Sequence, residues 1–354
     1  SQHYPSSGVA KSDGKLFYLR LNNGPSLPPY QKKVDSGSDP FFAITRNLNG
    51  SSGNNWSPVF YDLNSDGVID VMFGTREGVH MMLNSGTKTH PIFLTAPLFP
   101  GTLTPDTAIS LTNFKPAVAD INGDSLPDVF IGTKGASLLY YENIGSPTSP
   151  QFERKTGSLN PMNGVSNPCG ATDRAHIAYI APVLVDLNGD QKNDLVLGFY
   201  CSISNLQYWK NIGTSTQPSF SLMTGAVGKP NPFDNLEVSS SLHFVNTMIT
   251  PTFYDLNGDG VLDLVAGSYQ DYILVYLNTG TKTDPNFHSE MEAAQNPFVN
   301  IREDYRNNPA LYDIDDDGDG DLVLGTHLNH LNFYEANGCI MTSTCNGRGI
   351  CQRQ

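Results

Sequence analysis

No stretch of 18 or more consecutive apolar residues occurs, so no segment is long enough to cross a bilayer as a helix. Basic residues are also few: 21 Lys and Arg stand against 35 Asp and Glu, a formal net charge of −14. That balance argues against nucleic acid and anionic membrane surfaces as partners. The five cysteines form no C-x-x-C pair, which disfavours a redox dithiol or a structural zinc site. The G-x-S-x-G elbow, the H-E-x-x-H helix and the phosphate-binding P-loop are all missing, so no enzymatic activity is expected. His327 and His330 have a metal-like spacing but no evident third ligand, and they read as rim residues.

What is plentiful is glycine (33) and proline (24), the composition of a chain with many turns. Five segments align in one register: SPVFYDLNSDGVIDVMFG from Ser57, KPAVADINGDSLPDVFIG from Lys115, APVLVDLNGDQKNDLVLG from Ala181, TPTFYDLNGDGVLDLVAG from Thr250 and NPALYDIDDDGDGDLVLG from Asn308. Each is followed by an aromatic-rich run that usually ends in Asn-x-Gly, then by Pro-x-Phe (Phe93, Phe152, Phe220, Phe287), and often by a linker with Asn-Pro-Phe. The segments lack the i, i+3, i+4 apolar spacing of helices. Each unit predicts four short strands: two flanking an acidic turn, a third in the aromatic run, and a fourth from Pro-x-Phe. Asn-x-Gly is expected to supply a positive-φ turn between the third and fourth.

Units of this kind predict an all-β fold, a β-propeller. The N-terminus carries a partial unit: residues 15–24 resemble a third strand, Pro28-Pro29-Tyr30 stands in for Pro-x-Phe, and Asp39-Pro40-Phe41 for the linker. The fifth repeat, conversely, stops after its third strand near Gly338. The expectation is about six four-stranded blades, with seven left open, the N-terminal segment forming a sixth blade without an acidic turn. Residues 1–338 would form the propeller and residues 339–354 a separate Cys-rich tail.

Nearly half of the 35 acidic residues stand at fixed positions of the five turns, which read Asp-x-Asn/Asp-x-Asp-x-x-x-Asp. Carboxylates crowded in this way repel one another unless a cation sits between them. Oxygen donors at positions 1, 3, 5, 7 and 9 suit Ca²⁺, which takes six to eight of them, better than Mg²⁺, which demands a strict octahedron. The candidate ligands, with position 7 acting through its backbone carbonyl, are Asp62, Asn64, Asp66, Val68 and Asp70 in the first copy. The second has Asp120, Asn122, Asp124, Leu126 and Asp128, and the third Asp186, Asn188, Asp190, Lys192 and Asp194. The fourth has Asp255, Asn257, Asp259, Val261 and Asp263, and the fifth Asp313, Asp315, Asp317, Asp319 and Asp321.

An EF-hand would need Glu at position 12, where Phe73, Ile131, Leu197, Ala266 and Leu324 stand instead. Five copies in one register also argue against metal-free Asx turns, and about five calcium ions are expected. Ser125 and Gln191 replace the usual glycine at position 6, so the second and third sites should be strained and weaker. The fifth, with four carboxylates among Asp313, Asp315, Asp317 and Asp321, should attract a cation most strongly.

These turns and their flanking strands resemble FG-GAP/VCBS repeats, the calcium-binding blades also found in integrin α-subunit propellers, over residues 15–338. The resemblance implies calcium in the turn joining the first two strands of a blade, and an extracellular adhesion or matrix role. The tail from Cys339 through Cys345 to Cys351, spaced C-x5-C-x5-C, resembles the opening of an EGF-like module without its later cysteines. Cys169 and Cys201 flank the third acidic cluster and are candidates for a disulfide, and Asn49 and Asn55 lie in glycosylation sequons, the latter weakened by Pro58. Trp209 and the third-strand tyrosines read as inter-blade packing rather than a sugar platform.

The expected protein is thus a secreted or cell-surface, non-enzymatic calcium-binding propeller. It would act as a structural or adhesion scaffold within a larger surface or filamentous assembly. Protein or glycan partners, or further copies of the chain, would engage its loops or rim, including the irregular stretches 152–180 and 225–250. A carbohydrate-binding, lectin-like propeller is the alternative.

Overall fold

Apolar residues on both sides of each acidic turn pair as an antiparallel hairpin, and the hairpins recur in chain order. The computed structural model describes residues 30–35, 37–42, 55–76, 78–93, 112–134, 138–163, 165, 179–199, 206–228, 230–234, 236, 249–268, 272–291, 295–303, 306–327 and 331–336. Strand β1 (Tyr30–Lys32) precedes the first repeat, which supplies β2 (Ser57–Tyr61), β3 (Asp70–Gly74) and β4 (Val79–Met82). The second repeat forms β5 (Thr112–Ala119), β6 (Asp128–Lys134), β7 (Leu138–Asn143) and β8 (Phe152–Lys155). The third forms β9 (Ile180–Val185), β10 (Asp194–Phe199), β11 (Gln207–Asn211) and β12 (Phe220–Met223). The fourth forms β13 (Thr250–Tyr254), β14 (Asp263–Gly267), β15 (Ile273–Asn278) and β16 (Phe287–Glu290), and the fifth β17 (Asn308–Tyr312), β18 (Asp321–Gly325) and β19 (Leu331–Ala336). The second strands are buried throughout except for half-buried Lys134 at the end of β6, which explains their continuous apolar runs.

The five sheets close into a ring. First strands β2, β5, β9, β13 and β17 each meet the next, β17 returns to β2, and together they wall a cavity of about 280 Å³. Glycine sets the distance between blades. A Cβ at Gly74, Gly132, Gly198, Gly267 or Gly325 would collide with the carbonyl oxygen of Phe114, Ile180, Ile249, Asn307 or Trp56 in the next blade. In each case the Cδ of a proline, Pro116, Pro182, Pro251, Pro309 or Pro58, covers the glycine. The last pair, Gly325 with Trp56 and Pro58, joins the fifth blade to the first.

This closure corrects the expected blade count: there are five blades, not six or seven. β1 pairs with β19, in register Tyr30↔Ala336 to Lys32↔Tyr334, and is the fourth strand of the fifth sheet. The N-terminal unit thus supplies the one strand that the fifth repeat lacks, and the pairing is anchored by Tyr30 Oη donating to Gly320 O at 2.8 Å. The linker motif confirms the phase. Asp39, Asn160, Asn231 and Asn296 each accept, through Oδ1, the N–H two residues on, at 2.8–3.2 Å. Phe41, Met162, Phe233 and Phe298 are thereby driven between successive blades, each contributing roughly 1.5–3 kcal/mol by burial. Phe41 stacks on Phe93 of blade one at 4.9 Å and meets Phe333 of blade five at 6.0 Å. The first blade has three strands, its fourth position marked by the Asn84↔Phe93 bridge.

Two further expectations change. The Asn-x-Gly glycines do not take positive φ. Gly86, Gly145, Gly213 and Gly280 are required because a Cβ would strike the carbonyl oxygens of His90, Ser149, Gln217 and Asp284 across the turn. The preceding Asn closes that turn, as where Asn84 Oδ1 accepts from Gly86 and Ile92, both at 2.9 Å. Asn55 is 1% exposed and its Nδ2 donates to Asn113 Oδ1 at 2.8 Å, so it is no glycan acceptor. Tyr140, Tyr141, Tyr208, Tyr276 and Tyr334 are buried in the clusters between blades, and half-buried Trp209 packs on the one that holds Tyr140, as inter-blade packing requires. Residues 15–24, Asn49, His330, all five cysteines and the 339–354 tail lie outside the described residues.

Gly198→Ala should cost about 1–3 kcal/mol by forcing β10 away from Ile249, read as a lower urea midpoint with an unchanged slope. Deleting residues 1–33 should lower Tm by leaving β19 an open edge, whereas a self-contained fifth blade would leave Tm unmoved.

Candidate metal centres

Each acidic turn leaves the end of a first strand and returns at the first residue of the second. The turn ends lie on one face of the ring: Tyr61 neighbours Asp120, Tyr254 neighbours Asp313, and Tyr312 neighbours Asp62. Two residues in every turn adopt left-handed backbone. Position 6 does so at Gly67, Ser125, Gln191, Gly260 and Gly318, with φ from 65° to 99°. Position 4 does so too, at Ser65, Gly123, Gly189, Gly258 and Asp316, with φ from 55° to 74°. The sequence pointed only to position 6. The strain expected at Ser125 and Gln191 is present, and Ser65 and Asp316 carry the same kind of strain, roughly 1–2 kcal/mol each.

This double left-handed bend curls the chain around its own carboxylates. Position 1 accepts from backbone N–H groups of positions 5 and 6: Asp62 from Asp66 (3.1 Å) and Gly67 (2.9 Å), Asp255 from Asp259 (3.1 Å) and Gly260 (2.8 Å), Asp313 from Asp317 and Gly318 (both 3.0 Å). Asp186 does the same with Asp190 and Gln191, and Asp120 with Ser125. Position 5 accepts the N–H of position 7 at 2.8–3.1 Å in all five copies, through Asp66, Asp124, Asp190, Asp259 and Asp317. Position 3 amides in the first, second and fourth copies lean on position 5: Asn64, Asn122 and Asn257 donate to Asp66, Asp124 and Asp259.

Position 9 is different. Asp70, Asp128, Asp194, Asp263 and Asp321 are wholly buried. One oxygen accepts an N–H from the end of the third strand or just beyond it at 2.7–2.9 Å, from Asn84, Asn143, Asn211, Asn278 and Ala336. The other, in four copies, accepts the N–H of position 2: Leu63, Ile121, Leu256 and Ile314. Sequence reasoning placed these residues as ligands and missed that each is also a staple across three strands. It missed as well the hydroxyls of Tyr140 and Tyr208, which donate to Asp128 (3.1 Å) and Asp194 (2.6 Å) from three residues before the turn Asn. Burial pushes the position-9 carboxyls up: Asp70 to about 6, Asp128 and Asp263 to about 7, and Asp321 to about 8, with Asp194 raised likewise.

The copies are not equal. Asp313, Asp315 and Asp317 bring ligand oxygens within 4.8 Å of one another, the one such trio of acidic or other metal-binding side chains among the described residues. Asp315 Oδ1 is buried without a hydrogen-bond donor, an orphan acceptor that a hard cation would satisfy. Asp321 is not part of that trio. In the third copy the position-7 side chain opposes a metal: Lys192 Nζ lies 3.5 Å from Asp190 and donates to Gly213 O at 3.0 Å. Asn188 turns away to Asp194 and Tyr208. The donor sets fit calcium best in the fifth copy and worst in the third.

Residues 62–131, covering the first two acidic turns, match the FG-GAP-like repeat family. A T-cell immunomodulatory protein homolog of Plasmodium falciparum (isolate 3D7) is 28% identical over 169 residues, 44% of this chain. The match spans 20% of that protein's length. Among solved structures, an Agrocybe aegerita lectin described for specific recognition of non-reducing terminal N-acetylglucosamine aligns over 80% of both chains, at 14% identity and a TM-score of 0.38. That likeness is too loose to inform either fold or ligand.

Without metal, the raised position-9 carboxyls have a definite consequence. Their folded-state values exceed the ordinary 3.8, so they favour the fold while protonated and lose that advantage as pH rises through about 6 to 8. Chelator-treated protein should therefore show a higher urea midpoint at pH 5 than at pH 8. A midpoint that climbs with pH in chelator would contradict this assignment.

Proposed function

We propose that the chain is a non-enzymatic, calcium-braced extracellular propeller that serves as a structural or adhesion scaffold. The observation that carries the reading is the fifth turn, where three carboxylates converge around a buried oxygen that has no donor. Asp313, Asp315 and Asp317 would hold the ion there, with the position-7 backbone carbonyl completing the oxygen set. The four related turns would hold ions through the same positions, the third most weakly. Bound calcium supplies charge neutralisation: five divalent ions would offset most of the −14 carried by the chain. Since the turn joins the first two strands and its last Asp reaches the third, an ion there braces a whole blade.

Three or four carboxylates held on strained turns would suit calcium sites filled at extracellular calcium levels, and we place the chain at the cell exterior. With the acidic turns gathered on one face, the rim and opposite face are left for protein partners or glycans.

The test is a thermal melt with calcium bound and after EDTA, alongside metal analysis. EDTA should lower Tm and calcium should restore it, magnesium failing to substitute. Each site held at a hundredfold excess over Kd adds about 2.7 kcal/mol. Asp315→Asn should remove about one ion per chain. A Tm indifferent to EDTA would defeat the proposal.

A further inference from the structure

At the end of the central cavity opposite the acidic turns, cations gather in a chain that has few. Lys115, on first strand β5, is 2% exposed and lines the cavity. Its Nζ donates to Asn308 Oδ1 on β17, across the ring. The orientation of that amide is set from its other end, where Nδ2 donates to Trp56 O at 2.7 Å and Arg306 O at 3.2 Å. Asn308 thus offers Lys115 an acceptor but no charge. Lys134 and Arg306 lie over the ring of Tyr179, at 5.8 and 5.7 Å from its centroid. Arg306 also reaches Asn55 Oδ1 at 3.5 Å, next to the Asn55–Asn113 hydrogen bond. Blades two and five therefore bring three cations to this end of the ring, and among the described residues no carboxylate forms an ion pair with Lys115 or Lys134.

A buried ammonium that lacks a carboxylate is costly, and one amide oxygen satisfies only one of its three N–H groups. Most of the surrounding wall is apolar, formed by Pro58, Pro116, Pro182, Ala181 and their neighbours. The cavity, about 280 Å³, is far larger than the roughly 30 Å³ share of a single water. We propose that this end of the cavity is a binding site for a small oxyanion, a carboxylate or a sulfate-like group, held by Lys115 beside Asn308. An anion here would meet the charge of Lys115 at the end of the first strands away from the acidic turns. Burial, and secondarily Arg306, hold Lys115 down to about 7, so an anion there would be held more tightly below that pH than above it.

The experiment titrates sodium acetate and sodium sulfate separately against sodium chloride at constant ionic strength, with calcium present throughout, and follows Tm of the wild type and of Lys115→Met. A saturating rise of a few degrees in the wild type that is missing in the variant is the expected result. Saturation by acetate alone assigns a planar carboxylate, and by sulfate alone a tetrahedral anion. Sulfate also raises Tm generally by exclusion from protein surfaces, without saturation and equally in both proteins. If that is all that is seen, or if neither salt has an effect, the site does not exist. Should Lys115→Met not fold, the ¹³Cε resonance of Lys115 in lysine-labelled wild type decides instead: a shift that saturates with either anion supports the site, and an unmoved resonance overturns it.

Discussion

Each blade is organised around one buried carboxylate. The Asp that opens the second strand lies wholly inside the protein, one oxygen on the third strand's backbone and, in four of five blades, the other on the acidic turn. Inside a protein, where the dielectric is low, such hydrogen bonds direct geometry firmly. The turn is therefore not a loose connection but part of the sheet. Fold and candidate site share this residue, so charge in the turn and order in the blade are linked. The same burial that makes the staple directional makes its charge costly, and a neighbouring cation would relieve that cost.

Between blades the governing contact is steric. Five glycines let the second strand of one blade lie against a backbone carbonyl of the next, and five prolines close over them. The contact repeats without interruption through Gly325 and Trp56, and pairing of β1 with β19 draws the two ends of the chain into the fifth blade. Because the first strands all run the same way around the cavity, their ends sort chemically. The acidic turns gather at one end, and Lys115, Lys134 and Arg306 at the other. The two ends of the ring thus differ in charge.

Much of this was legible in the repeats. Strand order within a blade, the acidic turn, the Pro-x-Phe and Asn-Pro-Phe positions and the buried tyrosines all follow from patterns a few residues long, because hydrogen-bond ladders and Asx turns are local. Copy-to-copy differences in the turn were partly legible: Ser125 and Gln191 revealed themselves by replacing glycine, whereas Ser65 and Asp316 did not, since position 4 carries glycine in only three copies. Lys192 stood in the candidate ligand set as a backbone carbonyl, and only the fold shows its ammonium beside Asp190.

The sequence by itself determined that this is a repeated all-β chain with five oxygen-rich turns in one register, since both properties are set by residues close together in the chain. Tertiary structure decided the rest. Six partial or complete units became five blades because the outermost strand of the last blade comes from the other end of the chain, a pairing that no local period encodes. Asn55 lost its accessibility to Asn113, and Lys115 acquired Asn308, 193 residues away, only because closing the ring brought the starts of the first strands together.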